Sequence, residues 1–245
     1  MRITATAVSD IGRVRKTNQD CVGCFPDMSL FLLADGMGGL EDGEIASRLA
    51  IDVIAQHVQS ANGDVARDDA GVLRSAIASA NERIRQEGEM RGETSGRVRI
   101  GATIVVLRVF PEQGRALWAH VGDSRLYRVR DGKLALLTAD HTLAGAAYRD
   151  RTTVPLDLPH TNMLVQALGV APDVEPSLGA DDVRPGDLFL LCSDGVSGML
   201  EPAVLERTLA EDLALEAKAQ NLIRLALEAS GRDNASVVLV QVSSD

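Results

Sequence analysis

Two five-residue apolar runs that end on an aspartate beside glycine constrain this chain more than any other feature. Residues 30–34 run straight into Asp35-Gly36-Met37-Gly38-Gly39, and residues 188–192 run through Ser193 into Asp194-Gly195. Short apolar runs bounded by turn residues are the pattern of buried strands. Further β-rich runs lie at 3–8, 21–25, 102–110, 116–121, 125–130, 134–137 and 236–242. Asp131-Gly132 sits between two of them and predicts a hairpin. Helical periodicity predicts helices over 44–59, 68–89 and 213–229, the last closed by Ser230-Gly231. The strands follow one another through short turns, and the helices come between blocks of strands. That is an α+β chain with antiparallel sheets and helices packed outside them, not a doubly wound one. Residues 141–165 break the rhythm and read as a surface segment.

With 245 residues, 45% hydrophobic and 24% charged, the composition is that of a globular protein, which excludes disordered, collagen-like and coiled-coil chains. No apolar run approaches the ~18 residues that span a bilayer, and no apolar signal core opens the chain, so a cytoplasmic protein without membrane attachment is expected. A formal charge of −10 and few aromatic residues argue against nucleic acid as partner. Three cysteines, Cys21, Cys24 and Cys192, build no disulfide framework. Cys21 and Cys24 have the spacing of a zinc or redox half-motif. They lie in a predicted strand, though, where residues three apart face opposite ways, and no second pair completes a site.

Carboxylates carry the chemistry. Val121-Gly122-Asp123-Ser124 and Gly231-Arg232-Asp233-Asn234 repeat the arrangement of a short acid at a strand end beside glycine. Asp-Gly is also the commonest turn dipeptide, which accounts for any one of these alone. Four together, converging in a cleft, would repel one another prohibitively without cations. An all-oxygen set suits Mg²⁺ or Mn²⁺ rather than zinc, and the matching chemistry is metal-assisted hydrolysis of a phosphate ester.

The ordered set of motifs resembles the metal-dependent Ser/Thr protein phosphatases of the type 2C (PPM) family in its bacterial form. The residues that carry the likeness run nearly end to end: Ser9–Asp20, Asp35-Gly36-Met37-Gly38-Gly39 with Gly43-Glu44, Gly101-Ala102-Thr103, Val121–Arg125, Thr138–Thr142, Gln166–Gly169, Ser193-Asp194-Gly195 and Gly231–Ser236. The resemblance implies one phosphatase domain over 1–245, a sandwich of two antiparallel sheets flanked by helix pairs, with a flap at about 141–165. It implies hydrolysis of phosphoserine and phosphothreonine on proteins, by direct attack of a water bridging two Mn²⁺ or Mg²⁺ ions. By the same likeness Asp35, Asp194 and Asp233 are catalytic metal carboxylates, and the Gly36 carbonyl is a further ligand. Asp123 and Asp194 would hold a weaker third ion, Arg15 would clamp the substrate phosphate, and Asp20 would hydrogen-bond metal-held water from behind. Arg13 is a rival to Arg15, and Asp140-His141 reads either as an acid–base pair or as a structural hydrogen bond. Implied partners are phosphorylated proteins, including a bacterial Ser/Thr kinase or its substrates, with the chain a monomer in signal transduction.

Three features depart from the family pattern. Met37 stands where animal relatives place a histidine general acid, and a thioether cannot protonate a leaving group. Gln19 replaces a common Glu, and Thr161-Asn162-Met163 replaces an Arg-Asn-Val type sequence in the flap. Competing readings are a non-catalytic binding module that senses or scaffolds and a metallohydrolase of small phosphate esters. The first would show a lost metal carboxylate, but Asp35, Asp194 and Asp233 are all present.

Overall fold

The computed structural model describes residues 1–38, 42–61, 68–95, 100–145 and 162–244. Every strand pairing among these residues is antiparallel. One sheet has the order β1 (Arg2–Asp10), β11 (Ala235–Ser243), β10 (Leu188–Cys192), β7 (Arg125–Arg130), β8 (Lys133–Leu136). The other runs β2 (Asp20–Phe25), β3 (Leu30–Met37), β5 (Ile104–Phe110), β6 (Arg115–Val121), β9 (Ser177–Asp182), with β4 (Gly101–Ala102) on β3.

Strand alternation sorts the core into three layers. On β3, Leu30, Leu32 and Ala34 meet helices α1 (Asp42–Ala61) and α2 (Asp69–Ser95), while Phe31 and Leu33 point between the sheets. On β10, Leu188, Leu190 and Cys192 face the helices α4 (Pro202–Ala210) and α5 (Leu215–Ala229), while Phe189 and Leu191 point inward. Both strands are therefore buried on both faces, which is why they read as unbroken apolar runs. The order helices, sheet, sheet, helices is the α+β sandwich expected.

The hairpin at Asp131-Gly132 is present, with positive φ at both residues (52° and 72°) as a two-residue I′ turn requires. Cys21 packs toward the helices and Cys24 between the sheets, on opposite faces as expected. The expected strand 102–110 is instead β4 and β5, broken at Thr103, whose backbone N–H donates to Asp35 O at 2.8 Å. Strand β9, the four-residue helix α3 (Asp194–Ser197) and α4 were not expected. Of the flap-like segment 141–165, residues 146–161 lie outside the described ones; Thr142 pairs with Leu164 across the rest.

Candidate metal centre

Strand parity gathers the acids. On β3 the odd positions Phe31 and Leu33 face between the sheets, so Asp35 emerges from the same face at the open end of the sandwich. On β2 the even positions Val22 and Cys24 share that face, and Asp20 continues it. Asp20 and Asp35 are directly opposite in the β2–β3 register. Like charges in that relation destabilise a strand pair. Asp194 opens α3 just after β10, Asp233 stands two residues before β11, and Asp123 follows β6 after Gly122.

Asp35, Asp123, Asp194 and Asp233 line one cleft of about 360 Å³, together with Gly36, Arg15, Gln19, Met37, Thr103, Asn162, Leu164 and Asn234. Asp20 lies behind it, buried, its Oδ2 accepting a 2.8 Å bond from Ser193 Oγ. Burial first, then the charges of Asp20, Asp194, Asp233 and Asp123, hold Asp35 well above the usual carboxylate range. Burial likewise pushes Asp20 up to about 6, against the hydrogen bonds from Ser236 and Ser193, which pull it down. Asp123 is raised to about 6 by burial and then by the charges of Asp194 and Asp140. Asp194 is raised by burial and then by the charge of Asp233.

Two oxygens are conspicuous. Asp20 Oδ1 and Asp194 Oδ1 are buried and accept no hydrogen bond. A buried carboxylate oxygen without a donor costs about 1–3 kcal/mol or more, so it marks a place for a cation or water. The donor set is wholly oxygen, and divalent Mg²⁺ or Mn²⁺ fits it. Gly36 lines the cleft where backbone segments pass closely: a Cβ there would lie 1.9 Å from Gly43 O. The acids line the cleft without closing into a cage. Among the described residues no three His, Cys, Asp or Glu side chains stand ready to hold an ion, and Arg15 Nη2 donates to Asp233 Oδ2 at 2.6 Å.

Arg15 reaches the cleft, whereas Arg13 is not among its lining residues. Asp140 holds Arg125 in a two-point ion pair at 2.9 and 2.7 Å, and His141 is buried, bonded to Ser177 Oγ at 2.9 Å and stacked on His120. That pair is structural.

The sequence motifs assign no role to four buried residues that hold the acids in place. Thr103 Oγ1 accepts from the Asp35 amide at 3.0 Å and lies 2.7 Å from Ser124 Oγ, tying Asp35 to the turn of Asp123. Ser193 links Asp20 to the Ser236 amide. Asn234 accepts from Gln19 N and donates to Ile11 O and Thr17 O, pinning the Arg15 segment to the residue after Asp233. Ser124, Ser193 and Asn234 each adjoin a motif aspartate and Thr103 ends the Gly101-Ala102-Thr103 motif, which was the available signal.

Comparison with known proteins decides the family. The family model "Protein phosphatase 2C" matches residues 13–230. This chain belongs to the protein phosphatase 2C family. It is 30% identical over 244 residues to protein phosphatase PhpP of Streptococcus pneumoniae, covering 97% of each. It is similar to the crystal structure of the Mycobacterium tuberculosis serine/threonine phosphatase PstP/Ppp, with a TM-score of 0.86, 32% identity and 99% of each chain covered. A structure of the catalytic domain of PstP in complex with two manganese ions matches with a TM-score of 0.83 at 32% identity, again over 99% of each chain. The fit between the oxygen-only donor set of this 2C chain and a divalent cation thus has a counterpart in a relative.

Proposed function

We propose that this chain is a metal-dependent protein phosphatase that hydrolyses phosphoserine and phosphothreonine, in one catalytic domain. The observation that carries the reading is the convergence of Asp35, Asp123, Asp194 and Asp233 on one cleft, with orphaned buried oxygens on Asp194 and on Asp20 behind. Asp35, Asp194, Asp233 and the Gly36 carbonyl would hold two Mn²⁺ or Mg²⁺ ions, and Asp123 with Asp194 a third, more weakly, since so few protein oxygens leave a cation mostly hydrated. When bound, such ions neutralise the acids, polarise the phosphoryl oxygens and activate water.

The protein's own groups do the rest. Arg15 sits at the cleft mouth, its ion pair with Asp233 half exposed. An exposed pair of that kind is worth about 0–1 kcal/mol, so the guanidinium can exchange it for the phosphate, which it grips with two N–H groups. Asp20, from behind, presents Oδ1 as an acceptor that orients the attacking water. Met37 cannot donate a proton to the leaving alkoxide, and no His, Lys, Cys or Tyr is among the cleft's described lining residues. No helix among the described residues is long and apolar enough to cross a membrane. We place the protein in the cytoplasm, acting as a monomer on phosphoproteins that include a Ser/Thr kinase or its targets.

The test is hydrolysis of a phosphothreonine peptide beside an aryl phosphate, after chelation and after Mn²⁺ is restored, in wild type and in Asp35→Asn, Asp194→Asn and Asp233→Asn. Turnover should require the metal and fall at least a hundredfold in each variant. Each variant should also lose most of the Mn²⁺-induced rise in melting temperature. Robust turnover after exhaustive chelation refutes the reading, as does an unchanged metal-induced shift in all three.

A further inference from the structure

We infer that Arg13 and Arg232, with Lys16 beside them, form a docking surface for an acidic stretch of the substrate polypeptide next to its phosphorylated residue. The inference rests on the phosphatase reading above and names the substrate class of that site.

The chain as a whole is strongly acidic, with a net charge of −10, yet one rim of its cleft is basic. The segment Arg13-Val14-Arg15-Lys16 crosses that rim, and all four residues are exposed, Val14 by 67%. Arg15 turns to Asp233. Arg13 turns the other way: its backbone N–H donates to Gly231 O at 2.7 Å, and its Cγ and Cδ lie where a Cβ on Gly231 would be only 3.0 Å away. Arg232 is the next residue, exposed, between Gly231 and the metal-site residue Asp233. Arg13 thus packs against the residue next to Arg232, and both exposed arginines lie close to the Arg15–Asp233 pair at the cleft mouth.

Most described arginines are matched by this chain's own acids, for example Arg48 with Glu44, Arg74 with Glu175, Arg85 with Glu89 and Arg224 with Glu228. Among the described residues, Arg13, Lys16 and Arg232 enter no ion pair and no side-chain hydrogen bond. Unmatched cations gathered beside a cleft raise the local concentration of anionic ligands even where the net charge is negative. A substrate anchored by its phosphate on Arg15 carries its neighbouring residues across this rim at about 3.3 Å per residue. Carboxylate side chains one to a few residues from the phosphoresidue meet Arg13 and Arg232 there, and Arg forks accept carboxylates in two-point pairs. A long polyanion such as nucleic acid would instead face the repulsion of the remaining acidic surface.

The decisive experiment uses phosphothreonine peptides that differ only in flanking residues: Glu, Gln or Lys on both sides. With Mn²⁺ present, wild type should show kcat/KM in the order Glu, Gln, Lys. About tenfold should separate Glu from Gln, chiefly in KM, and the gap should shrink toward parity in 0.5 M salt. In the double variant Arg13→Gln with Arg232→Gln, the Glu-to-Gln ratio should fall at least threefold, with aryl phosphate hydrolysis in the same preparation as the reference. Equal rates for Glu and Gln peptides in wild type, or an undiminished ratio in the double variant, overturn the inference. Fluorescence anisotropy of a labelled, unphosphorylated Glu peptide needs no turnover, so it decides the docking even if phosphatase activity fails. Binding should weaken at least threefold in the double variant. Loss of that difference, or displacement by a single-stranded oligonucleotide as effective as by unlabelled peptide, overturns it.

Discussion

Asn234 shows how much of the site one uncharged side chain carries. It is 4% exposed and makes three hydrogen bonds, from Gln19 N at 2.9 Å and to Ile11 O and Thr17 O at 2.8 and 3.1 Å. Those partners bracket Arg15, so the segment that presents the guanidinium is fixed at both ends to the neighbour of Asp233. Asn234→Ala leaves the buried Gln19 N–H and two carbonyls unmet, at about 1–3 kcal/mol for each group that water cannot reach. We expect a melting temperature several degrees lower and kcat/KM for a phosphopeptide down about ten- to a hundredfold. KM should take the larger share, because a phosphate clamp acts in ground and transition states alike. Steady-state kinetics with the melt of the same preparation check this. A variant that melts lower while keeping wild-type KM shows Asn234 to be structural alone.

Thr103 does for two strands what Asn234 does for a loop. Its hydroxyl and its backbone N–H meet the N–H and C=O of Asp35, it breaks what would be one long strand into β4 and β5, and it joins Ser124 next to Asp123. Thr103→Val keeps the shape and removes the hydroxyl, leaving the Asp35 amide and Ser124 Oγ without that partner. It should cost about 1–3 kcal/mol and lower kcat severalfold while Thr103→Ser restores most of it; equal kcat in Val and Ser variants would refute the coupling. The same locus shows what the sequence could reveal. The 102–110 run reads as one strand because apolar patterning records burial, and Thr103 is as buried as its neighbours. Only a tertiary hydrogen bond interrupts it. Strand β9, Ser177–Asp182, has weak β composition and is held by its pairing with β6, so no local signal announces it. Strands β3 and β10 were legible because both faces are buried, and Asp35 and Asp194 with them because each ends such a run. The convergence of the four acids on one cleft was legible only through the family motifs, since spacing of 159 residues between Asp35 and Asp194 says nothing of distance.

At the scale of the whole molecule, the fold stores like charge at one end of the sandwich, and metal and proton compete to relieve it. Asp35 is raised well above, and Asp20 and Asp123 to about 6 from, the carboxylate value near 4 of an unfolded chain. The metal-free native state therefore binds protons more tightly than the unfolded one. That contribution to stability is fully present below about pH 4 and is lost as pH rises through 6. Asp35→Asn removes one of the repelling charges permanently. Metal-free Asp35→Asn should melt with wild type at about pH 4 and below, and several degrees above it at pH 7.5, since each unit of displaced pKa is worth about 1.4 kcal/mol. In a chain of this length each kcal/mol shifts the melt by about 2–4 °C. Titrating groups remote from the cleft act in both proteins and cancel in the difference. Saturating Mn²⁺ should invert the order at pH 7.5, because cations bind the deprotonated acids and Asp35 is one of their ligands. Melts of the two proteins from about pH 3.5 to 7.5, with chelator and with Mn²⁺, settle it. A gap that stays constant with pH in the metal-free pair would mean that Asp35 is not held protonated by its neighbours, and the charge-storage account of the cleft would fall.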